Sequence, residues 1–542
     1  MLLSNLDLLA TAQGGVARLR ELILTLAVRG KLVPQDPTDE PASVLLKKIR
    51  VDKDRLIAEG RIKRDKPLAG IAEDKRPCHL PKGWTWARLT ELGEFCGGKT
   101  PSTQRATFWD GDIPWITPKD MKQLRLSSSE DKVTQLAVND GLILVPPHSV
   151  LIVVRSGILR RAVPTAVNEV ATTINQDLKA LVLPRPEIAT YVQLLIRGFE
   201  SFILQNLTKI GTTVESIQFD AFAAQPFPVP PLAEQSRIVT RVEELMRLCD
   251  ALEAKGQLEA AQHAQLVSTL LGTLLDSPTP TILAENWQRV ATHFDLLLDR
   301  PQAVDALEQT ILQLAVRGLL VPQDPTDEPA SALLKKIRAE KDKLIAEGKI
   351  KRDKPLLPIA EEEQPFALPQ GWEWVRLNDL IRIGSGDGLT AAQMAPGGTI
   401  PVYGGNGVNG HHDKANVDEP TLVIGRVGYY CGSVHITPAK AWVTDNAFIT
   451  RYPKACLDMA WLYWLLVGTN LKENDSATAQ PVISGRKLYP IVVALPPLAE
   501  QSRIVTRVAS LRRLCADLRQ RLAASQSTQA HLAEALVQKV QR

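Results

Sequence analysis

The sequence PPLAEQSRIVTRV, residues 230–242, recurs unchanged at residues 496–508. A Pro-Pro pair stops the preceding chain, and its fixed φ suits the first turn of a helix. After the prolines, apolar side chains follow alternating spacings of four and three residues, which is the pattern of an a/d helix seam. In the first copy this seam consists of Ile238, Val242, Leu245, Cys249 and Leu252. Each copy is therefore predicted to open a long amphipathic helix.

The second copy repeats the seam with Ile504, Val508, Leu511, Cys515, Leu518 and Leu522. Both seams become polar near the middle and are expected to resume, at Leu266 and Leu270 in the first copy and at Leu532 and Leu536 in the second. Each helix would be about 65–70 Å long at the rise of an α-helix. The matched seams predict an antiparallel coiled coil of the two long helices.

A second repeated block shows that the whole chain is duplicated. VPQDPTDEPAS at residues 33–43 returns at residues 321–331, and in both places it follows an amphipathic helix pattern. The intervals between the shared blocks, about 90–229 and 378–495, are very different in sequence. A constant frame with two different inserts predicts pseudo-twofold symmetry and two different recognition surfaces.

The predicted fold class is α/β (α+β): two globular domains with pseudo-twofold symmetry, separated by an antiparallel coiled coil of two long helices, plus helical arms. Short apolar runs split by Gly, Pro and Asn favour an α/β or mostly β globule in each insert. The predicted segments are residues 1–80 (first arm), 81–230 (first domain), 231–276 (first long helix), 277–368 (second arm), 369–496 (second domain) and 497–542 (second long helix).

Length and composition narrow the functional classes. The 542 residues, 44% of them hydrophobic, suggest three or four packed domains. A net charge of +4 permits a nucleic-acid partner without requiring one. The six cysteines form no C-x-x-C pair, which fits a reducing cytosol. Without a membrane-length apolar run or a secretory signal, we expect a cytoplasmic protein.

The repeat also contains a basic stretch after each Pro/Asp-rich block. Residues 47–66 and residues 335–354 each carry nine Lys/Arg against four Asp/Glu. Such a run is usually a solvated helix face, and contact with phosphate or an acidic partner is the second interpretation.

GEFCGGKT, residues 93–100, matches the phosphate-loop pattern G-x-x-x-x-G-K-[ST]. The preceding residues carry charges and predict no buried strand, and Pro101 disfavours a helix at this point. The second copy reads IGSGDG at 383–388 and lacks Gly-Lys-Thr. We interpret the match as coincidental and find no other catalytic motif. A nucleotide hydrolase working through Lys99, or a nuclease fused to a recognition module, is the alternative.

Two short stretches suggest that the inserts share a core. VLIVVRSG at 150–157 and TLVIGRVG at 421–428 both predict a strand that ends in Arg-x-Gly. The same sequence offset matches Asn175 with Asn446. We therefore expect one fold core in both inserts.

Arg155 and Arg426 leave these strands and enter a glycine turn, which can aim a guanidinium at a guanine edge or a phosphate. A structural arginine paired with a nearby carboxylate is an equally good interpretation. The candidates beside the turns are Arg160 and Arg161 in the first insert, with Tyr429 and Tyr430 in the corresponding place in the second.

GGNGVNGHHDK at residues 404–414 is predicted to be a glycine-rich loop whose polar side chains read base edges. An ordinary turn cluster is the alternative, and His411-His412 is a weak metal signal without a third ligand. The candidate DNA-binding residues from this stretch are Asn406, Asn409, His411 and Lys414, and Lys119 and Lys122 in TPKDMK complete the predicted set.

Taken together, these motifs resemble the specificity (S) subunits of type I restriction–modification systems. The resemblance is carried by LRELILTLAVRGKLVPQDPTDEPAS, GWTWARL, TPSTQRATFWDGDIPWITPKDM, IPVYGGNGVNGHHDK, WVTDNAF and PPLAEQSRIVTRV. It covers nearly the whole chain and both copies of the repeat.

The resemblance implies two target-recognition domains, each reading one half of a split, asymmetric site in double-stranded DNA. It also implies that the long helices set the gap between the half-sites and dock two methyltransferase subunits, which motor-nuclease subunits join. S-adenosylmethionine, Mg and ATP would be bound by those partners. The S subunit itself would have no catalytic residue, cofactor or metal. The long N-terminal arm departs from shorter members of the family.

Overall fold

The structure, a computed structural model, describes residues 10–12, 14–62, 70–71, 79–209, 214–348, 350, 356–395, 397–472 and 482–541. The chain forms two compact units, one from residues 1–258 with 526–542 and the other from residues 259–525. Part of each predicted basic stretch, residues 63–66 in the first and residues 349 and 351–354 in the second, lies outside the described residues.

Unit 1 contains the first arm, the first domain and the beginning of a 44-residue helix. Its helices are α1 (Gly15–Val28), α2 (Ala42–Ala58), α3 (Leu89–Leu92), α4 (Gln135–Asn139), α5 (Ala189–Gly198), α6 (Glu200–Asn206), α7 (Phe219–Ala224) and the first part of α8 (Leu232–Leu275). Its main core combines the apolar faces of α1, α2, α5 and α8 with a fully buried central strand, Val150–Val153.

The strands of the first domain are β1 (Thr85–Arg88), β2 (Glu94–Gly97), β3 (Trp109–Ile116), β4 (Arg125–Leu126), β5 (Lys132–Val133), β6 (Val150–Val153), β7 (Thr165–Asn168), β8 (Thr173–Ile174), β9 (Leu178–Val182), β10 (Thr208–Lys209), β11 (Ser216–Ile217) and β12 (Pro226–Val229). Within the described residues the two larger sheets have the orders β2-β9-β6-β7-β4 and β5-β3-β8. The neighbours of β6 in its sheet, β7 and β9, are both antiparallel to it.

Unit 2 repeats this arrangement with the second arm and the second domain. Its helices are α9 (Pro280–Thr292), α10 (Phe294–Leu297), α11 (Pro301–Val316), α12 (Ala330–Ala346), α13 (Leu377–Leu380), α14 (Met459–Gly468), α15 (Gly485–Leu488) and the first part of α16 (Leu498–Gln541). Its strands are β13 (Glu373–Arg376), β14 (Arg382–Ser385), β15 (Ile400–Gly404), β16 (Gly407–His412), β17 (Leu422–Gly425), β18 (Val434–Ile436), β19 (Trp442–Val443), β20 (Ala447–Arg451) and β21 (Val492–Leu495). The two larger sheets described here have the orders β14-β20-β17-β18 and β16-β15-β19.

Each domain enters and leaves the frame through one antiparallel strand pair. β1 pairs with β12, so that Thr85 lies opposite Val229, and β13 pairs with β21, so that Glu373 lies opposite Leu495. The two ends of each insert are therefore adjacent. An insert whose ends are adjacent can be exchanged without moving the frame that carries it.

The long helices are confirmed, and each unit contains the beginning of one and the end of the other, packed on its arm helix in the antiparallel sense. In unit 1, the beginning of α8 packs into the main core with α1, and the end of α16 packs on Leu22 of the same arm helix. In unit 2, the end of α8 and the beginning of α16 share one cluster with α11. The arm helix thus contacts both long helices in each unit, which the seam pattern did not predict.

The predicted resumption of the seam is wrong by one residue in both copies. Leu266 and Leu532 are 51% and 52% exposed, whereas Val267 and Ala533 are buried. Val267 follows Cys249 by 18 residues, as Ala533 follows Cys515. Eighteen residues make about five turns of a straight α-helix with 3.6 residues per turn, whereas a heptad repeat assumes 3.5.

No helix in the described part of the chain is both long enough and apolar enough to cross a membrane.

Candidate nucleic-acid interface

Both domains are fixed to the frame by the same three side chains, which we call the clasp. In the first copy the Glu234 carboxylate accepts hydrogen bonds from Trp84 Nε1 at 3.0 Å and from Gln35 Nε2 at 3.2 Å. The second clasp consists of Gln323, Trp372 and Glu500, with matching hydrogen bonds of 3.0 Å from the tryptophan and 3.1 Å from the glutamine. The clasp joins the arm, the residue that precedes the first strand of the domain and the first turn of the long helix.

The clasp carboxyls are buried, with both Glu234 and Glu500 only 1% exposed. Burial raises the pKa of each of them, and the hydrogen bonds from the glutamine and tryptophan oppose that shift. An ion pair flanks each clasp, Arg237 with Asp39 at 2.5 Å and Arg503 with Asp327 at 2.6 Å. The frame therefore holds both domains by the same contacts, and any difference in what they bind must come from the inserts.

In the first domain, the strand β6 leads into a turn that carries exposed arginines. The backbone N–H of Val154 donates to Asp177 O at 2.8 Å, and Ile217 N–H donates to Val154 O at 2.8 Å. The next residue, Arg155, places Nε 2.9 Å from Asp177 Oδ1 while its side chain stays 57% exposed. The carboxylate orients the guanidinium, and the exposed remainder keeps N–H groups available for a phosphate or base edge.

Arg160 and Arg161 lie a few residues further along the same turn, and both are exposed. Arg160 Nε donates to Glu215 Oε1 at 2.6 Å, and this hydrogen bond holds the pKa of the Glu215 carboxyl below its usual range. Arg155, Arg160 and Arg161 thus form one exposed cationic group at the end of β6.

The matching position in the second domain differs from the sequence-based alignment. Arg426 N–H donates to Asn446 O at 2.9 Å, and Ile483 N–H donates to Arg426 O at 2.9 Å. These are the hydrogen bonds made by Val154 in the first domain, so Arg426 is equivalent to Val154 and not to Arg155. The equivalent of Arg155 is Val427, because isolated bridges join Arg155 to Ser216 and Val427 to Val482.

The predicted match of Asn175 with Asn446 is also wrong, because the backbone hydrogen bonds make Thr444 the equivalent of Asn175. Asn175 N–H donates to Ile116 O at 3.0 Å, and Thr444 N–H makes the corresponding bond to Tyr403 O at 2.8 Å. Asn446 therefore takes the place of Asp177. The two Arg-x-Gly motifs coincide only when the sequences are shifted by one residue from the structural equivalence. The inserts differ in length on either side of the shared core.

The Arg426 side chain is held by neutral groups. Its guanidinium lies over the Phe448 ring at 5.5 Å, and Nη1 is 3.4 Å from both Ser385 Oγ and Asp445 O. Nε is buried without a hydrogen-bond acceptor within the described structure. The two predicted arginines thus have different surroundings, a carboxylate in the first domain and an aromatic ring with weak acceptors in the second.

The residues after this turn also differ. Leu159 N–H donates to Ser156 O and Cys431 N–H donates to Gly428 O, so the exposed Tyr429 and Tyr430 are equivalent to Gly157 and Ile158. Arg160 and Arg161 belong to a segment that is longer in the first domain and has no equivalent in the second. The prediction that the tyrosines take the place of these arginines is wrong.

The stretch 404–414 is a β-hairpin for most of its length and not a loop. β15 and β16 pair from Ile400 opposite His412 to Gly404 opposite Gly407, which leaves a two-residue turn, Gly405-Asn406. Gly-Asn between two strands is a hairpin signal that the sequence analysis missed. The candidate side chains Asn406, Asn409, His411 and Lys414 are all exposed. A register shift between Val402 and Tyr403 leaves Asn409 as the extra residue of a bulge in β16, between the paired residues Val408 and Gly410.

Lys119 and Lys122 are exposed at a turn after β3. Lys119 Nζ lies 3.2 Å from Asp131 Oδ2 and 3.4 Å from Glu130 Oε2. The hydrogen bond to Asp131 raises the lysine pKa. Lys119 is therefore engaged by two carboxylates, which a phosphate would have to displace.

The GEFCGGKT stretch does not have the geometry of a phosphate loop. The strand within the stretch, β2, is an edge strand of half-buried residues, so it is not the buried strand that a phosphate loop needs. No helix starts at Lys99. Its N–H donates to Ile174 O at 3.1 Å, and its carbonyl accepts from Trp115 Nε1 at 3.1 Å. The nucleotide-hydrolase alternative is not supported.

The described residues contain no cluster of three or more His, Cys, Asp or Glu that could hold a metal ion.

Two residues outside the predicted set support the turn after β17. Lys472 Nζ donates to Tyr429 O at 3.0 Å and Lys487 Nζ donates to Val482 O at 3.0 Å. Neither lies in a recognisable sequence motif, and only the fold brings them to the turn.

A repeated frame that holds two different exposed surfaces defines a recognition scaffold with two heads. Two regions, residues 81–262 and 369–525, match the family of the type I restriction modification DNA specificity domain. These regions cover both domains and the beginnings of both long helices. The chain belongs to the specificity subunits of type I restriction–modification systems.

Two relatives from Escherichia coli agree with this assignment. The chain is 35% identical to the type I restriction enzyme EcoAI specificity subunit of Escherichia coli, over 96% of this chain and 93% of that protein. It is 34% identical to the EcoEI specificity subunit of the same organism, with the same coverage. A solved chain of the type I R-M system gives a TM-score of 0.47 at 18% identity, over 86% of this chain and 99% of that one.

Proposed function

We propose that this chain reads a split, asymmetric site in double-stranded DNA, one half-site with each domain, and catalyses no reaction itself. The observation that carries the proposal is the contrast between the conserved clasps and the divergent turns. Two identical attachments support two surfaces with different hydrogen-bonding groups. Different donors and acceptors select different base edges, so the two half-sites differ in sequence.

The first half-site is contacted through the cationic group Arg155, Arg160 and Arg161. Guanidinium groups bind phosphates and guanine edges in the same forked geometry. Lys119 and Lys122 add phosphate contacts from a second turn of the first domain. Their contribution makes the affinity depend on salt concentration, because each phosphate contact releases counterions.

The second half-site is contacted through Arg426, Tyr429 and the β15–β16 hairpin. Asn406, Asn409, His411 and Lys414 offer both donors and acceptors on one exposed hairpin. Asparagine pairs with adenine, and histidine and lysine favour acceptor edges or phosphates. The second domain therefore relies more on neutral polar groups than the first domain does.

The partners in this proposal are two methyltransferase subunits and, in the restricting complex, motor-nuclease subunits. Leucines are exposed at repeated positions of the long helices, Leu248 and Leu514 as one pair and Leu266 and Leu532 as the other. Exposed apolar positions that occur in both copies favour two copies of one partner. S-adenosylmethionine, Mg and ATP belong to those partners, and this chain needs no cofactor of its own.

We place the assembly in the cytoplasm. Five cysteines lie in the described residues and none forms a disulfide. Unpaired thiols in a chain that binds DNA fit a reducing compartment.

Methylome sequencing of a host with and without this chain tests the proposal. The expected result is one two-part adenine-methylation motif that disappears when the chain is deleted and returns when it is supplied again. Loss of no motif, or loss of a single continuous motif, would contradict a two-domain reader. ATP hydrolysis by the purified chain would contradict the absence of catalysis.

Lengthening the helices tests their role as the spacer. Seven residues inserted at matched places in both α8 and α16 add about 10 Å of helix. The expected result is a gap between half-sites that grows by about three base pairs, since stacked base pairs rise ~3.4 Å each. An unchanged gap would show that something other than the helices sets the spacing.

A further inference from the structure

We propose that Tyr429 is an aromatic wedge that enters the DNA half-site read by the second domain, separates two stacked bases and kinks the duplex there. The inference rests on the proposed function and goes further, because it assigns one side chain a deformation of the DNA. It also predicts that the first domain lacks this device.

The exposure of Tyr429 is the first observation. Its side chain is 80% exposed, whereas Tyr191 and Tyr403 are buried. The neighbouring Tyr430 is also more than half exposed. Two adjacent exposed rings form an apolar patch at the tip of a turn, and such patches mark binding surfaces more often than isolated exposed residues do.

The turn holds the Tyr429 ring in place before any partner binds. Tyr430 packs edge to face against it, with ring centroids 5.0 Å apart and ring planes at 87°. Gly428 has φ of +95°, and Cys431 N–H closes the turn on Gly428 O at 2.9 Å. A ring held in advance loses less conformational entropy on stacking than a free one.

One cation lies beside the ring, and two more are placed on the elements that form the turn. Lys472 Nζ lies 5.8 Å from the centre of the Tyr429 ring and donates to its backbone carbonyl. Arg426 precedes the turn by three residues, and Lys487 binds the adjacent Val482 carbonyl. An exposed aromatic ring with a cation beside it suits a nucleic acid, since the cation meets a phosphate while the ring stacks on a base.

The first domain provides a natural comparison. Gly157, the equivalent of Tyr429, has no side chain, and the space around a Cβ at this position is empty to 4 Å. The backbone at Gly157 does not adopt a positive φ, so this position can accept a tyrosine. The wedge can therefore be removed from one domain and added to the other by single substitutions.

Apolar and aromatic side chains that enter between base steps kink the duplex by about 20–90°. A base–aromatic stack is worth about 1–3 kcal/mol, which corresponds to roughly 5- to 150-fold in affinity. An exposed tyrosine that only hydrogen-bonds through its hydroxyl would leave the duplex straight. The kink therefore separates stacking from ordinary polar contact.

The experiment measures energy transfer between dyes at the two ends of a duplex that carries the methylation motif found in the host. Full-length chains with Tyr429→Gly and Tyr429→Phe are compared with the unchanged chain. The kink should be lost with Y429G, which should also bind about tenfold more weakly. It should be retained with Y429F, which keeps the ring. Gly157→Tyr should add a second kink in the other half-site.

The outcomes are distinct. Energy transfer that is the same for the bound unchanged chain and bound Y429G overturns the wedge and leaves the proposed function intact. Loss of methyltransferase binding by Y429G with unchanged DNA binding also overturns it, in favour of a protein contact. Failure of the unchanged chain, assembled with its partners, to bind the motif duplex overturns the proposed function itself. Thermal unfolding of each variant serves as the folding control.

Discussion

The clasps and the turns after β6 and β17 differ in how much their side chains vary between the two copies. The clasp has the same residue types and nearly the same hydrogen-bond lengths in both, 3.0 and 3.2 Å against 3.0 and 3.1 Å. The turns share a backbone hydrogen-bond pattern, but every exposed side chain is different. The comparison shows that geometry is conserved where the domain is attached and chemistry is varied where it faces solvent.

This division has a physical basis. A buried carboxylate with two donors tolerates little change, because each unpaired buried polar group costs about 1–3 kcal/mol. Side chains on an exposed turn can change at little cost in stability. The same fold can therefore acquire new binding surfaces while the attachment to the helices stays constant.

The largest effect is expected from the clasp tryptophans. Trp84→Ala and Trp372→Ala should each destabilise their own unit by about 3–5 kcal/mol, because both remove a large buried ring and a hydrogen bond to a buried carboxyl. Hydrogen exchange followed by mass spectrometry reports on each copy separately. Trp→Phe at the same positions is the matched control, which keeps an aromatic ring but loses the N–H and part of the ring volume. A large effect in one copy alone would show that the clasps are not equivalent.

The next effect distinguishes the two arginines. Arg155→Ala should weaken DNA binding by roughly 10- to 100-fold, because it removes a cation and leaves the Asp177 carboxylate facing phosphate. Arg426→Ala, with only neutral partners, should cost about tenfold or less. Adding Asp177→Asn to R155A should recover part of the loss. Equal losses of DNA affinity for R155A and R426A, without recovery by D177N, would contradict the conclusion that the two arginines have different surroundings.

A smaller effect is a dependence of folding stability on pH, which is expected in the second domain. Burial lowers the pKa of His435, so the folded state favours neutral imidazole. As pH falls below about 6.5, the unfolded chain takes up a proton that the folded chain resists, and stability is lost. The loss should end below the folded-state pKa. The residue at this place in the first domain is Ala166, which pairs with Leu151 as His435 pairs with Val423.

Unfolding of unit 2 followed by hydrogen exchange at pH 7.5 and 5.5 checks this prediction. The difference should not exceed about 1.4 kcal/mol per pH unit. His435→Ala should reduce it, and unit 1 should show no matching change. A loss of equal size in H435A would assign the pH dependence to other groups.

The smallest effect is expected at Lys99. Lys99→Ala should change DNA binding by a few-fold at most and leave ATP hydrolysis at background, because its exposed ammonium belongs to no phosphate loop. A steady-state ATPase assay and a binding titration check both parts. An ATPase activity that K99A abolishes would revive the hydrolase alternative.

The duplication, the long helices and the shared strand core could all be predicted from the sequence. Identical letters at residues 230–242 and 496–508 made the repeat certain, and their apolar spacing made the helix certain. The clasp was also within reach, because its glutamine, tryptophan and glutamate occur in both copies. Its geometry was not predictable, because the three residues are far apart in the chain.

The equivalence of the two turns could not be predicted. Arg155 and Arg426 share a local motif, but the backbone hydrogen bonds match Arg426 with Val154. A single residue of shift changes which side chain faces solvent. The predicted resumption of the helix seam was displaced by one residue in a similar way. A heptad repeat assumes 3.5 residues per turn, and over 18 residues this departs from the 3.6 of a straight helix.

Exchange of one domain tests the central claim most directly. Residues 81–229 would be replaced by the matching segment of a relative with a different target, and the host methylome would be sequenced. Because the insert ends at the β1–β12 pair, only the half-site of the first domain should change, with the other half-site and the gap preserved. A change in both half-sites, or in neither, would contradict two independent recognition domains on a common frame.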